Sequence, residues 1–318
     1  MPNSNANKMS PRSLTRRGVA TLIATLLLSL GWMTNHSSAQ EAIDVLSGAR
    51  IAVVGDSITQ AGHYVSLLSY QLQKQYPDRD FDIYPLGLGS ETVSGLSEDG
   101  HAGGRFPRPC LLERLERLLD RVKPDVIIAC YGMNDGIYQP LNQERMDAFQ
   151  NGMLSFIRQS QKAGVKQIYL VTPPIYDDLT RQKEVDYDVV LAEFASWESS
   201  LQLDGVEVID LHTPMKKARK QREQPFSRDH VHPGMDGHWV MAQTIASGLG
   251  LPPLNRSLAD VQADPMFSLI DQKHKLRWKG WMNHIGYTRE KHYPSAPLGK
   301  TEVEAQQLQA SIDALRQE

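Results

Sequence analysis

The chain has 318 residues, of which 41% are hydrophobic and 22% charged, with a formal net charge of −3 at pH 7. Such a slightly acidic chain lacks the basic surface that nucleic acids and anionic membranes attract, so neither is expected as a partner. Its only two cysteines, Cys110 and Cys130, have no metal-ligand spacing, and a disulfide bond between them is left open.

The first 39 residues predict a secretory signal peptide. A basic start with Arg12, Arg16 and Arg17 precedes an apolar run over residues 18–32 and a small-residue cleavage site. The run is shorter than the roughly 20 residues that cross a bilayer, which argues against a single-pass anchor. The paired arginines also leave a twin-arginine export route open. We therefore expect an exported protein, periplasmic or secreted, without stable membrane insertion after cleavage.

Apolar runs alternate with helical patterns from residue 50 onward. The runs predict five strands, at residues 50–55, 81–86, 125–130, 167–172 and 206–211. Between and after them, apolar residues with helical spacing predict helices near residues 64–76, 111–122, 146–157, 190–201 and 239–249. The alternation predicts an α/β fold, a three-layer α/β/α sandwich with a five-stranded parallel sheet and right-handed crossovers.

The chain divides into a predicted catalytic domain, residues 46–253, and a C-terminal extension, residues 254–318. The extension breaks the alternation, and its last part predicts a charged amphipathic helix. It is too short for an independent domain, so we expect it to pack on the sandwich. A basic run over residues 216–222 is interpreted as a solvated helix face.

Ser57 directly follows the first predicted strand, in the segment Gly55-Asp56-Ser57. Ligands of parallel sheets bind at the carboxyl ends of the strands, and a helix start offers free N–H groups. A serine at this point suits the nucleophile of acyl transfer, with its own N–H facing the oxyanion. The alternative is an ordinary helix N-cap serine.

Two further segments could supply oxyanion donors. Asn134 follows the third strand, and the turn over residues 87–92, with two glycines, follows the second. An amide side chain, or a backbone N–H exposed by glycine, can donate a hydrogen bond to an oxyanion. Both segments are also compatible with ordinary turns.

Asp229 and His232 lie three residues apart in a loop before the last helix. Within one turn the carboxylate can reach Nδ1 of the histidine and leave Nε2 facing the serine. His230 and His238 are rivals for the role of His232. A metal site formed by Asp229, His230 and His232 is a further interpretation, but no third ligand region is evident.

These segments, taken in order, resemble the SGNH hydrolases, also called GDSL-type esterases, over about residues 50–250. Gly55-Asp56-Ser57 is similar to the first conserved block of that family, Gly132-Met133-Asn134-Asp135 to its Gly-x-Asn-Asp block, and Asp229 to His232 to its Asp-x-x-His block. The resemblance implies a flavodoxin-like sandwich, which agrees with the strand–helix alternation, and a serine hydrolase that needs no metal or cofactor.

By this resemblance Ser57 is the nucleophile, His232 the base and Asp229 the partner of the base. Asn134 and the N–H groups of Ser57 and Ser90 would hold the oxyanion.

The second block departs from the family pattern. Where the family has Gly-Asp-Thr, this chain reads Ser90-Glu91-Thr92, so a serine stands at the glycine position. A backbone N–H can still donate there, with Gly89 as the other candidate.

Four residues are tentative substrate contacts. Arg105, or its neighbour Arg108, could bind an anion on the substrate, Tyr131 flanks the asparagine block, and Trp278 or Tyr287 could stack on a sugar ring. Each could instead be a surface charge or a packing aromatic. No long apolar lid segment is evident, which argues against a lipase with an apolar cleft.

The sequence therefore predicts an exported serine esterase that acts through an acyl-enzyme, on a small acyl group such as acetyl carried by a carbohydrate. A lysophospholipase or lipid esterase, and an acyltransferase with the same site, are the alternatives. A catalytically silent binding module is disfavoured because the serine, histidine, aspartate and asparagine are all present. The oligomeric state is not predicted.

Overall fold

Five parallel strands form the central sheet, in the order β2-β1-β3-β4-β5. This computed structural model describes residues 40–178 and 186–316, so the predicted signal peptide lies outside the described residues. The strands are β1 (Arg50–Gly55), β2 (Asp82–Pro85), β3 (Val126–Cys130), β4 (Gln167–Val171) and β5 (Val206–Ile209). Two short strands, β6 (Tyr287–Thr288) and β7 (His292–Tyr293), form a separate antiparallel hairpin.

Helices connect and cover the strands. They are α1 (residues 40–46), α2 (Ser57–Ala61), α3 (His63–Gln75), α4 (His101–Gly104), α5 (Leu111–Val122), α6 (Gln143–Lys162), α7 (Tyr187–Ser199), α8 (His212–Lys220), α9 (Met235–Gly248), α10 (Leu258–Ala263), α11 (Pro265–Ile285) and α12 (Thr301–Arg316). α4 is a short turn in which Ala102 and Gly103 have positive φ.

The predicted α/β sandwich is confirmed. β3 is buried at all five positions, as expected for a strand covered on both faces of a parallel sheet. α3 packs against α9 and α5 packs against α6. With the right-handed crossovers that parallel strands almost always have, these two pairs are expected on opposite faces of the sheet. β1 pairs with β2 on one side and β3 on the other, so the ends of β1, β2 and β3 lie side by side.

The C-terminal residues begin with α10 and with α11, a helix of 21 residues that the sequence analysis did not predict. α11 contacts β2, α3 and α5, and therefore covers the β2 edge of the sheet. Its Arg277 donates to Asp82 in β2 at 2.5 Å and to Glu302 in α12 at 2.7 Å. These contacts tie β2, α11 and α12 together, while the boundary at residue 253 remains a prediction.

Cys110 and Cys130 are free thiols, so the disulfide bond that the sequence left open is not formed. Cys130 is buried in β3. Over residues 40–178 and 186–316, each helix is too short or too polar to cross a bilayer.

Candidate active site

Ser57 opens α2 immediately beyond the end of β1. The helix is capped by Asp56, whose Oδ1 accepts a hydrogen bond from the Ile58 N–H at 2.9 Å. The N–H of a first-turn residue has no partner within its own helix, so the Ser57 N–H is available to a ligand. Asp56 thus has a structural part, and Ser57 is free for chemistry.

Two glycines allow α2 to approach the strand ends. A Cβ at Gly55 would lie 2.1 Å from Thr59 Oγ1, and one at Gly87 would lie 2.3 Å from the Gln60 nitrogen. A larger residue at either position would push α2 away from the sheet. The glycines therefore fix the position of Ser57 relative to the turn that follows β2.

Ser57, His232 and Asp229 form a continuous hydrogen-bonded chain. Ser57 Oγ lies 2.7 Å from His232 Nε2, and His232 Nδ1 lies 2.6 Å from Asp229 Oδ2. With Nδ1–H donating to the carboxylate, Nε2 is the acceptor for the serine hydroxyl. The arrangement can deprotonate the serine and stabilise the resulting imidazolium.

The second carboxylate oxygen of Asp229 holds the turn itself. Asp229 Oδ1 accepts the N–H groups of Val231 and His232 at 3.1 and 2.8 Å. Partial burial would raise the pKa of Asp229, but the hydrogen bonds from the His232 ring and these N–H groups outweigh it and lower the pKa to about 2. Asp229 is therefore a carboxylate over the whole useful pH range.

Asp177 anchors the loop that carries the histidine. Its carboxylate accepts Arg219 Nε at 2.5 Å and the N–H groups of Phe226 and Ser227 at 2.5 and 3.1 Å. The Asp177 carbonyl oxygen lies 3.0 Å from Nδ1 of His230. The loop is thereby fixed to the segment after β4. The sequence analysis missed this anchor, because Asp177 and Arg219 are 42 residues apart.

His230 and His238, the two alternatives to His232, contact other groups than Ser57 and Asp229. His230 faces Asp177, as described. His238 is buried in α9 and packs against Tyr64 and His63. Burial, together with His63 and His232, lowers the pKa of His238 to about 3. In the described part of the chain, no group of three or more His, Cys, Asp or Glu residues could hold a metal ion.

Asn134 lies beyond the end of β3 and is buried. Its Nδ2 is 3.3 Å from the carbonyl oxygen of Glu91, while its Oδ1 is 2.8 Å from Arg108 Nη1 and 3.2 Å from the Tyr138 hydroxyl. Both donors lie on the oxygen side, so the amide nitrogen faces the other way. The amide retains a second N–H hydrogen for an oxyanion.

In the turn after β2, the two candidate donors, the N–H groups of Gly89 and Ser90, differ in whether they already have a hydrogen-bond partner. The Gly89 N–H donates to Gln60 Oε1 at 2.6 Å, whereas the Ser90 N–H has no hydrogen-bond partner in the described residues. Ser90 has φ of 67°, in the left-handed region that glycine adopts most easily. Serine therefore takes a backbone conformation that favours glycine, the residue of the family pattern at this position, and Ser90 is the better candidate donor.

A buried ion pair supports this turn. Arg114 donates to Glu91 through Nε at 2.6 Å and Nη2 at 2.7 Å, and neither side chain is exposed. Tyr131 donates its hydroxyl to Glu91 at 2.6 Å, and Arg114 also donates to the Leu86 carbonyl oxygen. Three hydrogen bonds from two side chains therefore hold Glu91, the residue next to Ser90.

Asp135 joins the asparagine block to the second block. Its Oδ1 accepts the N–H groups of Val93 and Ser94, each at 2.8 Å, and its Oδ2 accepts the Gly132 N–H at 3.0 Å. The donors beyond β2 and β3 are thus held at fixed separation.

The sequence over residues 53–240 matches the GDSL-like lipase/acylhydrolase family. The chain belongs to this family. It is therefore an ester-hydrolysing enzyme, and the resemblance seen in the four sequence blocks is confirmed.

Solved structures with a similar chain path include an α/β hydrolase, an acetylxylan esterase and a diltiazem-metabolizing enzyme. The α/β hydrolase LAE5, from the metagenome of Lake Arreo, is 21% identical, with 64% of this chain and 96% of that chain covered and a TM-score of 0.48. The acetylxylan esterase Axe2 from Geobacillus stearothermophilus is 23% identical, with 67% and 99% covered and a TM-score of 0.49.

BT4096, a gut microbial diltiazem-metabolizing enzyme, is 19% identical, with 64% and 47% covered and a TM-score of 0.47. No curated protein matches the sequence. At these identities and TM-scores the similarities carry no conclusion about the substrate of this GDSL-family enzyme.

The four tentative substrate contacts have different surroundings in the structure. Tyr131 is 1% exposed and bound to Glu91, so it supports the turn and cannot contact a substrate, which corrects that prediction. Trp278 donates its indole N–H to the Gly87 carbonyl oxygen at 2.7 Å and so also supports that turn. Tyr287 stacks on Tyr293 within the β6–β7 hairpin. Arg105 is exposed.

Arg289, in the β6–β7 hairpin, lies beside the turn after β2, a placement that the sequence analysis did not predict. A Cβ at Gly89 would lie 3.2 Å from Arg289 Nη2, and the guanidinium lies 5.5 Å from the centre of the Phe106 ring. The Arg105 guanidinium lies 6.0 Å from the centre of the same ring. The only signal in the sequence was the polar-aromatic composition of the hairpin.

Proposed function

We propose that this GDSL-family enzyme hydrolyses carboxylic esters through an acyl-enzyme on Ser57. The observation that carries the proposal is the continuous chain from Ser57 Oγ through His232 to the Asp229 carboxylate. Together with Asn134 and the Ser90 N–H, it supplies each group that acyl transfer requires.

His232 Nε2 takes the hydroxyl proton while Ser57 Oγ forms a bond to the ester carbonyl carbon. The carbonyl π electrons move to oxygen, and this oxyanion receives hydrogen bonds from the N–H groups of Ser57 and Ser90 and from Asn134 Nδ2. The carbon–oxygen bond to the alcohol then breaks, and the imidazolium of His232 protonates the leaving oxygen. Water attacks the acyl-serine by the same sequence and releases the acid.

The proposed substrate carries a small acyl group, such as acetyl, on a carbohydrate. The support is the open character of the site, since the side chains of His232 and Asp229 are 50% and 56% exposed. An enclosed apolar cleft, as long acyl chains require, would bury these groups. The polar surroundings, with Arg105 and Arg289 both close to Phe106, favour a hydroxylated alcohol component.

We further propose that the enzyme is exported and that residues 1–39 are removed. The support is the order of basic, apolar and small residues in that segment. Amino-terminal sequencing of protein recovered from the cell envelope or medium is expected to begin near residue 40. Recovery of the intact amino terminus would contradict cleavage.

The test of the reaction is Ser57→Ala, for which we expect kcat on p-nitrophenyl acetate to fall by roughly 10³-fold or more. A fluorophosphonate should label the wild type and not this variant. His232→Gln should show a loss of the same order, whereas the matched change His230→Gln in the same loop should cost less than about tenfold. Unchanged activity of Ser57→Ala would refute the proposed mechanism.

Acyl-chain length tests the substrate. We expect kcat/KM to be higher for p-nitrophenyl acetate than for the decanoate, and acetylated xylooligosaccharides to release acetate. A strong preference for the decanoate would instead indicate a lipid esterase. Transfer of acetyl to an added sugar in excess of free acetate would indicate an acyltransferase.

A further inference from the structure

We propose that Arg108 is a positioning residue for the oxyanion hole, holding the Asn134 amide with its N–H groups toward the oxyanion. The inference rests on the proposed function and adds a residue to it. Arg108 Nη1 lies 2.8 Å from Asn134 Oδ1. Sequence reasoning had considered Arg108 as a ligand for an anion on the substrate.

The guanidinium of Arg108 is fully engaged and is not free to bind a substrate. Its Nε and Nη2 donate to the two carboxylate oxygens of Glu98, at 2.7 and 2.6 Å, and its plane lies 5.2 Å from the centre of the Tyr138 ring. The Arg108 side chain is only 4% exposed. Glu98 therefore orients the planar guanidinium, and the remaining nitrogen, Nη1, points at Asn134.

An asparagine amide has two orientations that are nearly equal in shape but opposite in chemistry. In one, an N–H group faces the oxyanion. In the other, the amide oxygen faces it and repels it. Arg108 can only donate and therefore requires the amide oxygen, whereas the Glu91 carbonyl can only accept and therefore requires the amide nitrogen. These two partners select the productive orientation, and the Tyr138 hydroxyl, which can donate or accept, donates to the amide oxygen in it.

Arg108 also polarises the amide. A charge-assisted hydrogen bond to a carbonyl oxygen withdraws electron density from the amide and makes its N–H groups stronger donors. Burial opposes ionisation of Glu98, but the hydrogen bonds from Arg108 outweigh it and lower the pKa of Glu98. The ionised form of the Glu98 carboxylate is thus favoured, and it holds the Arg108 guanidinium directly behind the oxyanion donor.

A double-mutant cycle tests the proposal, with kcat and KM measured on p-nitrophenyl acetate. Arg108→Met is expected to lower kcat by roughly 10- to 100-fold with KM changed less than about threefold, and Asn134→Ala to lower kcat by about 10²- to 10³-fold. Because Arg108 acts through Asn134, adding Arg108→Met to Asn134→Ala should cost less than about threefold more.

Tyr138→Phe supplies a second variant that keeps the ring under Arg108 and removes one donor. We expect kcat to fall by about two- to fivefold when Asn134 is present and to be unchanged in the Asn134→Ala background. The matched control is Arg256→Met, because Arg256 likewise pairs with a carboxylate, Asp264, and a tyrosine hydroxyl. It should leave kcat within about twofold.

Three results would overturn the proposal. They are losses from Arg108→Met and Asn134→Ala that multiply in the double variant, an effect of Arg108→Met on KM alone, and full activity of both Arg108→Met and Tyr138→Phe. Failure of the proposed function is distinguishable from these, because it would appear as activity that survives Ser57→Ala.

Discussion

Asp56 carries a buried carboxyl group one residue before Ser57, the proposed nucleophile. It is 3% exposed, and its only described hydrogen bond to the backbone is the helix cap at Ile58. Burial raises the pKa of Asp56 to about 7, although the cap and the nearby His232 oppose the shift. The folded protein therefore binds a proton at Asp56 that the unfolded chain, with an ordinary aspartate pKa, has released.

This difference predicts a pH-dependent stability. The contribution of Asp56 is fully present below about pH 4 and is lost as pH rises through 7, because the folded-state pKa is the higher one. Relative to Asp56→Asn, the free energy of unfolding of the wild type should fall by a few kcal/mol at most between pH 4 and 8. Urea unfolding of both proteins between pH 4 and 8 measures this difference in the free energy of unfolding. Parallel pH profiles would contradict the shifted pKa.

Ser90 is held in a backbone conformation that costs a non-glycine residue about 1–2 kcal/mol. Ser90→Gly should therefore raise the free energy of unfolding by up to about 1 kcal/mol, since glycine also gains freedom in the unfolded chain. Its kcat should stay within about threefold of wild type, because the proposed donor is the backbone N–H.

The control is Ser90→Ala, which keeps both the N–H and the positive φ. We expect no gain in stability from this variant and little change in kcat. A loss of more than tenfold in kcat for both variants would show that the serine hydroxyl, rather than the N–H, is required. Denaturant unfolding and esterase assays on the same preparations give both quantities.

Among the elements, α11 does most to fix the edge of the sheet. Arg277, which is 4% exposed, links Asp82 in β2 to Glu302 in α12 and also donates to the Ile83 carbonyl oxygen. Glu302 accepts a further hydrogen bond from the Trp281 indole at 2.8 Å. Removal of the arginine would leave two carboxylates in partly buried positions without their cation.

We therefore expect Arg277→Met to lower the free energy of unfolding by about 3–5 kcal/mol, as for other broken buried ion pairs. The matched change on the same helix is Lys275→Met, because Lys275 is 65% exposed and pairs with Asp271 at the surface. This variant should change stability by less than about 1 kcal/mol. Equal urea midpoints for the two variants would contradict the proposed difference.

The sequence predicted the bounds of elements with a regular apolar pattern and missed a helix in which several charged residues are buried. β1, covering residues 50–55, is a continuous apolar run after Arg50, and α5, covering residues 111–122, repeats leucines at helical spacing, so both have the predicted bounds. α11 was missed because Lys273, His274 and Arg277 are buried in it, and these residues normally indicate a solvated surface.

At the scale of the whole molecule, the sequence reveals the proposed reacting groups better than it reveals the contacts that hold them in place. Ser57, Asn134 and His232 lie in short blocks at strand ends, where local pattern and topology suffice. The supports depend on pairs that only the fold brings together, such as Arg114 with Met282 and Asp177 with Arg219. Arg108 was noticed for its charge, but its acceptor Asn134 lies 26 residues away.

The hydrogen bond from the Trp278 indole to the Gly87 carbonyl oxygen has a consequence for protein engineering. The turn that carries Ser90 is held by a helix that lies almost 200 residues later in the chain. The conserved blocks alone therefore do not determine the shape of the turn. A chimaera that carries this turn on a relative without α11 would contain the residues of the motif but would lack the hydrogen bond from Trp278. Residues 265–285 therefore have to be included in the chimaera if the geometry of the proposed oxyanion hole is to be preserved.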